Sequence, residues 1–319
     1  MQFSLAPELV EPVVRGLLGG IDVDGGPSDE QLLVLDALVR HLWHRDDLVG
    51  RVAPLGPHEV AAAVADPVAR RRFHEVLLTL EVCRHPLTAA QVDRVEEYGA
   101  ALEFEGPDLQ ILRDLADQGV GAAAADFARF LDGNLARRHE PSLRSVPVTV
   151  EPEPELADRM RGLADLPEGT VGRGLVEFYR RAGLTLPGVE GSAMNHWFVA
   201  HDTTHVIAGI EPTGPGEIAL SAFQMAMDDN DVNRGALLAS LVVHEAGFAG
   251  SASSAAEAGT LADPAAAELL GQEMERGAGC LADFSLADHM AMFDRPLAEV
   301  REEFGVAPPA DPADGHHCW

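Results

Sequence analysis

The chain has 319 residues, 46% of them hydrophobic and only 5% aromatic, which is enough apolar material for one large helical domain or two ordinary ones. Its formal net charge of −29, from 52 acidic and 23 basic residues, argues against a nucleic-acid partner, because such a surface repels phosphate backbones. The basic residues are all arginine, and the three cysteines, Cys83, Cys280 and Cys318, are too scattered for a disulfide framework and point to a reducing compartment.

The first residues, MQFSLAPELVEPVVRG, lack a basic n-region and carry early acids, so they do not read as a signal peptide. Residues 27–43, PSDEQLLVLDALVRHLW, predict a helix with Ser28 as N-cap and acids in its first turn. Its apolar face is Leu32, Leu33, Leu35, Leu38, Val39 and Leu42. Helical patterns follow at about 58–82, 88–103 and 108–137, each set off by a Pro or Gly signal. No strand alternation stands out, and an all-α class is expected.

The stretches DGGPSDEQLLVLDALVRHL and CRHPLTAAQVDRVEEYGAAL share a breaker, a Ser/Thr cap and a following helix. This arrangement resembles the TerB-like (tellurite-resistance) helical family over roughly residues 10–135, in which an Asp-Gly turn precedes such a helix twice. Only the first copy keeps that turn here, at Asp24 and Gly25; the second has Arg84 and His85. Asp22, Asp24, Ser28 and Glu30 present oxygen ligands at alternate positions, as a hard cation would require. A capped helix start accounts for the same residues.

Residues 141–157, PSLRSVPVTVEPEPELA, alternate proline with glutamate and β-branched residues and predict an extended linker. The expected domains are therefore 1–140 and 158–306, with 307–319 a flexible tail to which His316, His317 and Cys318 contribute no site. The most apolar window, 235–250, is interrupted by His244 and Glu245 and is too short to span a bilayer. A soluble, cytoplasmic protein is expected.

The second half carries the chemistry. On a helix running from about Trp197 to Ala208, His201 and His205 are four residues apart and share a face, with Asp202 within the same sector of roughly 100°. Gly209 reads as the helix stop, and GIEPTGPG (209–216) must turn the chain. A second helix, EIALSAFQMAM (217–227), begins with Glu217 in its first turn, and antiparallel packing would return that carboxylate to the histidines. Two imidazoles and two carboxylates suit Zn²⁺, with Fe²⁺, Mn²⁺ or Co²⁺ as alternatives. His244 and Glu245 lie in an otherwise apolar helix, and a buried acid there needs a partner, so Glu245 joins Asp202 as a candidate catalytic group. Met194, Met225, Met227, Met290 and Met292 are candidates for an adaptable apolar pocket, or simply for core.

The string H-D-x-x-H-x11-E, at His201, Asp202, His205 and Glu217, resembles the metal motif of the coenzyme Q biosynthesis protein 4 family. LADLPEGTVGRGLVEFYRRAGLTLPG (163–188) and DHMAMFDRPLAEVREEFGV (288–306) look like further segments of that family, so the likeness covers about residues 158–306. It implies an all-helical domain with one divalent ion held by His201, His205 and Glu217. Asp202 would be a fourth ligand or a support for one of the histidines. It also implies oxidative decarboxylation of a prenylated hydroxybenzoate, the ion acting as a Lewis acid. The expected function is a metal-dependent enzyme on a small aromatic or prenylated substrate, working as a homo-oligomer. A peripheral membrane contact or a biosynthetic complex are candidate partners. The alternatives are a quinone- or lipid-binding scaffold with a structural metal, or a metalloenzyme of specialised metabolism.

Overall fold

The computed structural model describes residues 3–104, 133, 137, 140–143, 151–190, 196–247, 258–313 and 315–317. Among these the regular elements are all helical, the class expected from the sequence, with only isolated backbone bridges such as Ile210–His316. No helix among the described residues is long and apolar enough to cross a membrane.

The first half contributes α1 (Pro7–Gly20), α2 (Asp29–Trp43), α3 (Pro57–Ala63), α4 (Pro67–Val82) and α5 (Ala89–Ala101). Ser28 caps α2 as expected, accepting from the Gln31 N–H at 3.1 Å while the Gln31 side chain accepts from the Ser28 N–H at 3.0 Å. Thr88 and Gln91 repeat this box at α5. The helix predicted over about 58–82 is two helices instead. Asp66 caps a new start by accepting from the N–H groups of Val68 and Ala69, and Pro67 cannot donate back into α3. The helix predicted at about 108–137 falls almost wholly outside the described residues.

The second half contributes α6 (Pro154–Gly162), α7 (Val171–Ala182), α8 (His196–Ala208), α9 (Gly214–Met227), α10 (Asp231–His244), α11 (Pro264–Ala278) and α12 (Leu297–Phe304). One apolar core joins α1–α5 to α10, α11 and one side of α9, through Ile218, Ala222, Met225 and Ala226. A second core gathers α6–α8, the turn at His289–Met292 and α12 around the other side of α9, through Leu220, Phe223 and Met227. The core thus continues across the 141–157 stretch, and the division between the two cores runs along α9. The reason is hydropathy: α9 is apolar all round, so it must be covered on every side. Met225 and Met227 are core residues on its two sides, Met290 and Met292 lie in the second core, and Met194 is outside the described residues.

Helix α11 fits between α2 and α9 because it has glycine where backbones approach. A Cβ on Gly271 would meet the Ala37 carbonyl oxygen at 2.8 Å, and one on Gly277 would meet the Phe223 carbonyl oxygen at 2.1 Å. On the α2 side, Glu268 accepts from Arg40 Nη1 and Nη2, at 3.2 and 2.8 Å, and pairs with His41 at 2.7 Å. Gly277→Ala is expected to force α9 and α11 apart and cost roughly 1–3 kcal/mol. Chemical denaturation checks this; a midpoint equal to the wild type would contradict the close packing.

Candidate metal centre

Three ligand-type side chains meet where α8 passes into α9. His201 Nε2 lies 3.1 Å from Glu217 Oε2, and His205 Nε2 lies 3.2 Å from Glu217 Oε1. The two imidazole rings are 4.9 Å apart, centroid to centroid, and nearly perpendicular. The turn between the helices produces this meeting. Gly209 adopts φ +78° to end α8, and Thr213 caps α9 by accepting from the Gly216 N–H. Gly214, Pro215 and Gly216 form the first turn of α9 rather than part of the preceding loop, since proline at a helix start gives up an N–H that would be unpaired anyway. At Gly216 a Cβ would stand 1.9 Å from the Glu211 carbonyl oxygen, so only glycine lets the chain double back this tightly. Glu217 therefore returns through the turn itself. The body of α9 packs on α10 and α11.

The ligand helix is held at both ends. The Glu153 carboxylate accepts from the His196 N–H at 3.0 Å, at the positive end of α8, and also contacts His196 Nδ1. At the other end Arg301 donates to the carbonyls of Ile207 (2.9 Å) and Val206 (3.0 Å), and Arg276 donates to that of Ala208 (2.9 Å). Asp202, almost fully buried, accepts a hydrogen bond from the Tyr179 hydroxyl of α7. Burial pushes its carboxyl up to about 6 against the pull of His201, Tyr179 and His205. Asp202 lies beside the cluster but does not join its ligand atoms, which come from His201, His205 and Glu217.

The donor set fits a divalent ion. The His205 side chain is wholly buried, and its Nδ1 faces the Ile210 carbonyl at 3.0 Å. A carbonyl only accepts, so Nδ1 carries a proton, which leaves Nε2, 3.2 Å from Glu217 Oε1, as the nitrogen available to an ion once it is deprotonated. The side chains of His201 and Glu217 are 19% and 22% exposed, so the centre is sealed on the His205 side and open on the other. Among the described residues the cluster offers three protein ligands, one fewer than the four that enclose a structural ion. The histidines hold the Glu217 carboxylate well below the usual carboxylate range, although burial works the other way. Burial also opposes charge on His205, yet Glu217 overrides it and raises the imidazole above its usual 6.5.

Glu245 is placed elsewhere. It follows α10, is wholly buried, and meets Glu30 and His85 of the first half rather than the histidine pair. Its neighbour Glu30 is pushed up to about 8 by burial and by contact with Glu245. Two of the oxygen donors near Glu30 in sequence are used otherwise: Asp24 accepts from the Thr88 hydroxyl at 2.7 Å, and Ser28 caps α2.

The C-terminal segment, expected to be a loose tail, is docked beside the turn that follows the histidine pair. Glu211 N–H donates to the Gly315 carbonyl (2.9 Å) and His317 N–H to that of Gly209 (2.7 Å), clasping the turn that carries Ile210. His316 pairs with Glu273 at 2.7 Å, both side chains buried, and Phe178 lies between the His205 and His317 rings. A buried carboxylate at Glu273 needs partners, and His316 and Arg276 supply them. Sequence reasoning also missed Tyr179, Glu153, Arg276 and Arg301, none of which has a local pattern linking it to the histidines. Cys318 lies outside the described residues.

No family model and no curated protein matches the chain. Among solved structures, a crystal structure from Nostoc punctiforme PCC 73102, named as a candidate ubiquinone biosynthesis protein, aligns with 74% of this chain and 98% of its own, at 18% identity and a TM-score of 0.35. Likeness at that level does not show a shared family.

Removing residues 312–319 frees the turn that orients His205 and is expected to weaken divalent-ion affinity about tenfold or more, the usual effect of losing support behind a ligand. Competition against a chromophoric chelator measures this, and unchanged affinity would show that the clasp has no bearing on the centre. In the intact chain, ion affinity is expected to rise with pH through 6.5 and beyond, because His205 must shed its proton before it can coordinate.

Proposed function

We propose that the chain is a divalent-metal enzyme acting on an aromatic carboxylate or quinone-type precursor. The observation that carries the metal part is the three-ligand cluster of His201, His205 and Glu217, sealed behind His205 and exposed on the opposite side. The substrate class rests on the H-D-x-x-H-x11-E string and its resemblance to the coenzyme Q family. Zn²⁺ suits the two imidazoles and one carboxylate, and Fe²⁺, Mn²⁺ or Co²⁺ suit them as well. When bound, the ion supplies Lewis acidity to a phenolate or carboxylate oxygen.

The chain's own residues fix where that chemistry takes place. Ile210 sets the tautomer of His205, and Glu217 supplies the negative charge that offsets a divalent cation. The Tyr179–Asp202 bond ties α7 to α8 directly behind the ligand pair. The exposed edges of His201 and Glu217 define the side from which an anionic ring substituent would approach. A structural-metal scaffold is the competing reading, and its test is whether a fourth protein ligand closes the coordination sphere.

Elemental analysis of the purified chain beside His205→Ala and Glu217→Ala tests the ligand assignment, since both variants are expected to lose the ion held by this cluster. Turnover of prenylated hydroxybenzoates by the metal-loaded protein is expected to fall about 100-fold or more in both variants, equivalent to losing several kcal/mol of charge stabilisation. Full occupancy in both variants would refute the site. A wild-type protein that binds metal and hydroxybenzoates without converting them would favour the scaffold.

A further inference from the structure

A second group of metal-type side chains lies where the two halves of the chain meet. Glu30 comes from the first turn of α2, His85 from the turn between α4 and α5, and Glu245 from the residue that ends α10. One ligand atom from each lies within 4.8 Å of the other two. Glu245 is wholly buried, with Oε2 accepting the Leu261 N–H at 2.8 Å and Oε1 facing His85 Nε2 at 2.6 Å. Glu30 is half-buried, with Oε1 out of reach of solvent, and its carboxyl group faces that of Glu245. The adjacent guanidinium of Arg84 is turned toward the carbonyls of Val23 (3.0 Å), Gly26 (2.9 Å) and Asp24 (3.3 Å), where it fastens the preceding loop.

Two carboxylates facing each other in a buried seam repel, and the repulsion must be relieved by a proton or by a cation. With His85 beside them the pair offers a cation three donors, and a bound cation would replace the proton that otherwise relieves the repulsion. A neutral imidazole and two carboxylates balance a divalent ion in charge, and one nitrogen with two oxygens suits Mn²⁺, Zn²⁺ or Fe²⁺ better than calcium, which takes oxygen ligands. The His85 side chain is 32% exposed, so an ion reaches the cluster from solvent without the cores opening. We infer that Glu30, His85 and Glu245 form a second divalent-cation site, one that staples the first-half helices to α10.

Its role differs from that of the first centre. The ligands come from α2, the α4–α5 turn and the end of α10, elements that lie far apart in sequence. An ion bound there stabilises the folded chain over the unfolded one, because the unfolded chain does not hold the three donors together. The inference does not depend on the function proposed for the histidine pair.

The test uses the full-length chain, stripped with chelator and titrated with Mn²⁺ while free ion is followed by electron paramagnetic resonance. His85→Ala is the main variant, since His85 lies at the surface and its loss leaves the core intact; Glu217→Gln removes a ligand of the first centre. His85→Ala is expected to hold one ion fewer than the wild type, whatever the first centre binds. Mn²⁺ is expected to raise the melting temperature of stripped Glu217→Gln but not of Glu217→Gln/His85→Ala. Equal Mn²⁺ uptake by wild type and His85→Ala, or equal thermal response of the two Glu217→Gln proteins, would overturn the second site. Loss of an ion in His85→Ala with no change in Glu217→Gln would uphold it while removing the first centre.

Discussion

Helix α9 has no face it can leave in water, and most of the architecture follows from that constraint. Its residues from Ile218 to Met227 are all buried, so helices from both halves of the chain must cover it. The first core takes one side and the second core the other. Covering it this closely requires glycine at Gly277, where α11 lies against the Phe223 backbone. The same requirement fixes the position of Glu217, which sits in the first turn of a helix that cannot rotate without exposing apolar surface.

The histidine pair depends on a different kind of support. Each end of α8 leaves backbone groups that the helix cannot satisfy, and charged side chains from distant segments satisfy them here: Glu153 at the start, Arg276 and Arg301 at the end. Hydrogen bonds to charged groups contribute about 1.5–3 kcal/mol each, more than neutral ones. With both termini held and Asp202 bonded to Tyr179, His201 and His205 are held in one orientation. On the proposed metal reading, such support would raise affinity by lowering the cost of ordering the site.

The docked C-terminal segment belongs to the same support. It reaches the turn at Gly209–Glu211 because Glu273, buried on α11, needs a partner for each of its oxygens, and His316 provides one. Once His316 is there, Gly315 and His317 lie alongside the turn and take up its free backbone groups. A run of prolines, aspartates and glycine that reads as loose chain is ordered by one buried carboxylate.

The sequence by itself determined the helical class, the Ser28 cap, the stop at Gly209 and the shared face of His201 and His205. Each depends on residues a few positions apart, and such spacings constrain the backbone directly. The return of Glu217 was also legible, though by another route: the tight turn at Gly216 brings it back, rather than two helices packed along their length. Tertiary structure alone decided that Asp202 turns to Tyr179, that Glu245 joins Glu30 and His85, and that the core divides along α9 rather than at the Pro/Glu stretch. The first two outcomes depend on which buried polar group finds which partner across more than twenty positions of chain, and the third on which elements cover the apolar faces of α9; no local periodicity encodes either choice.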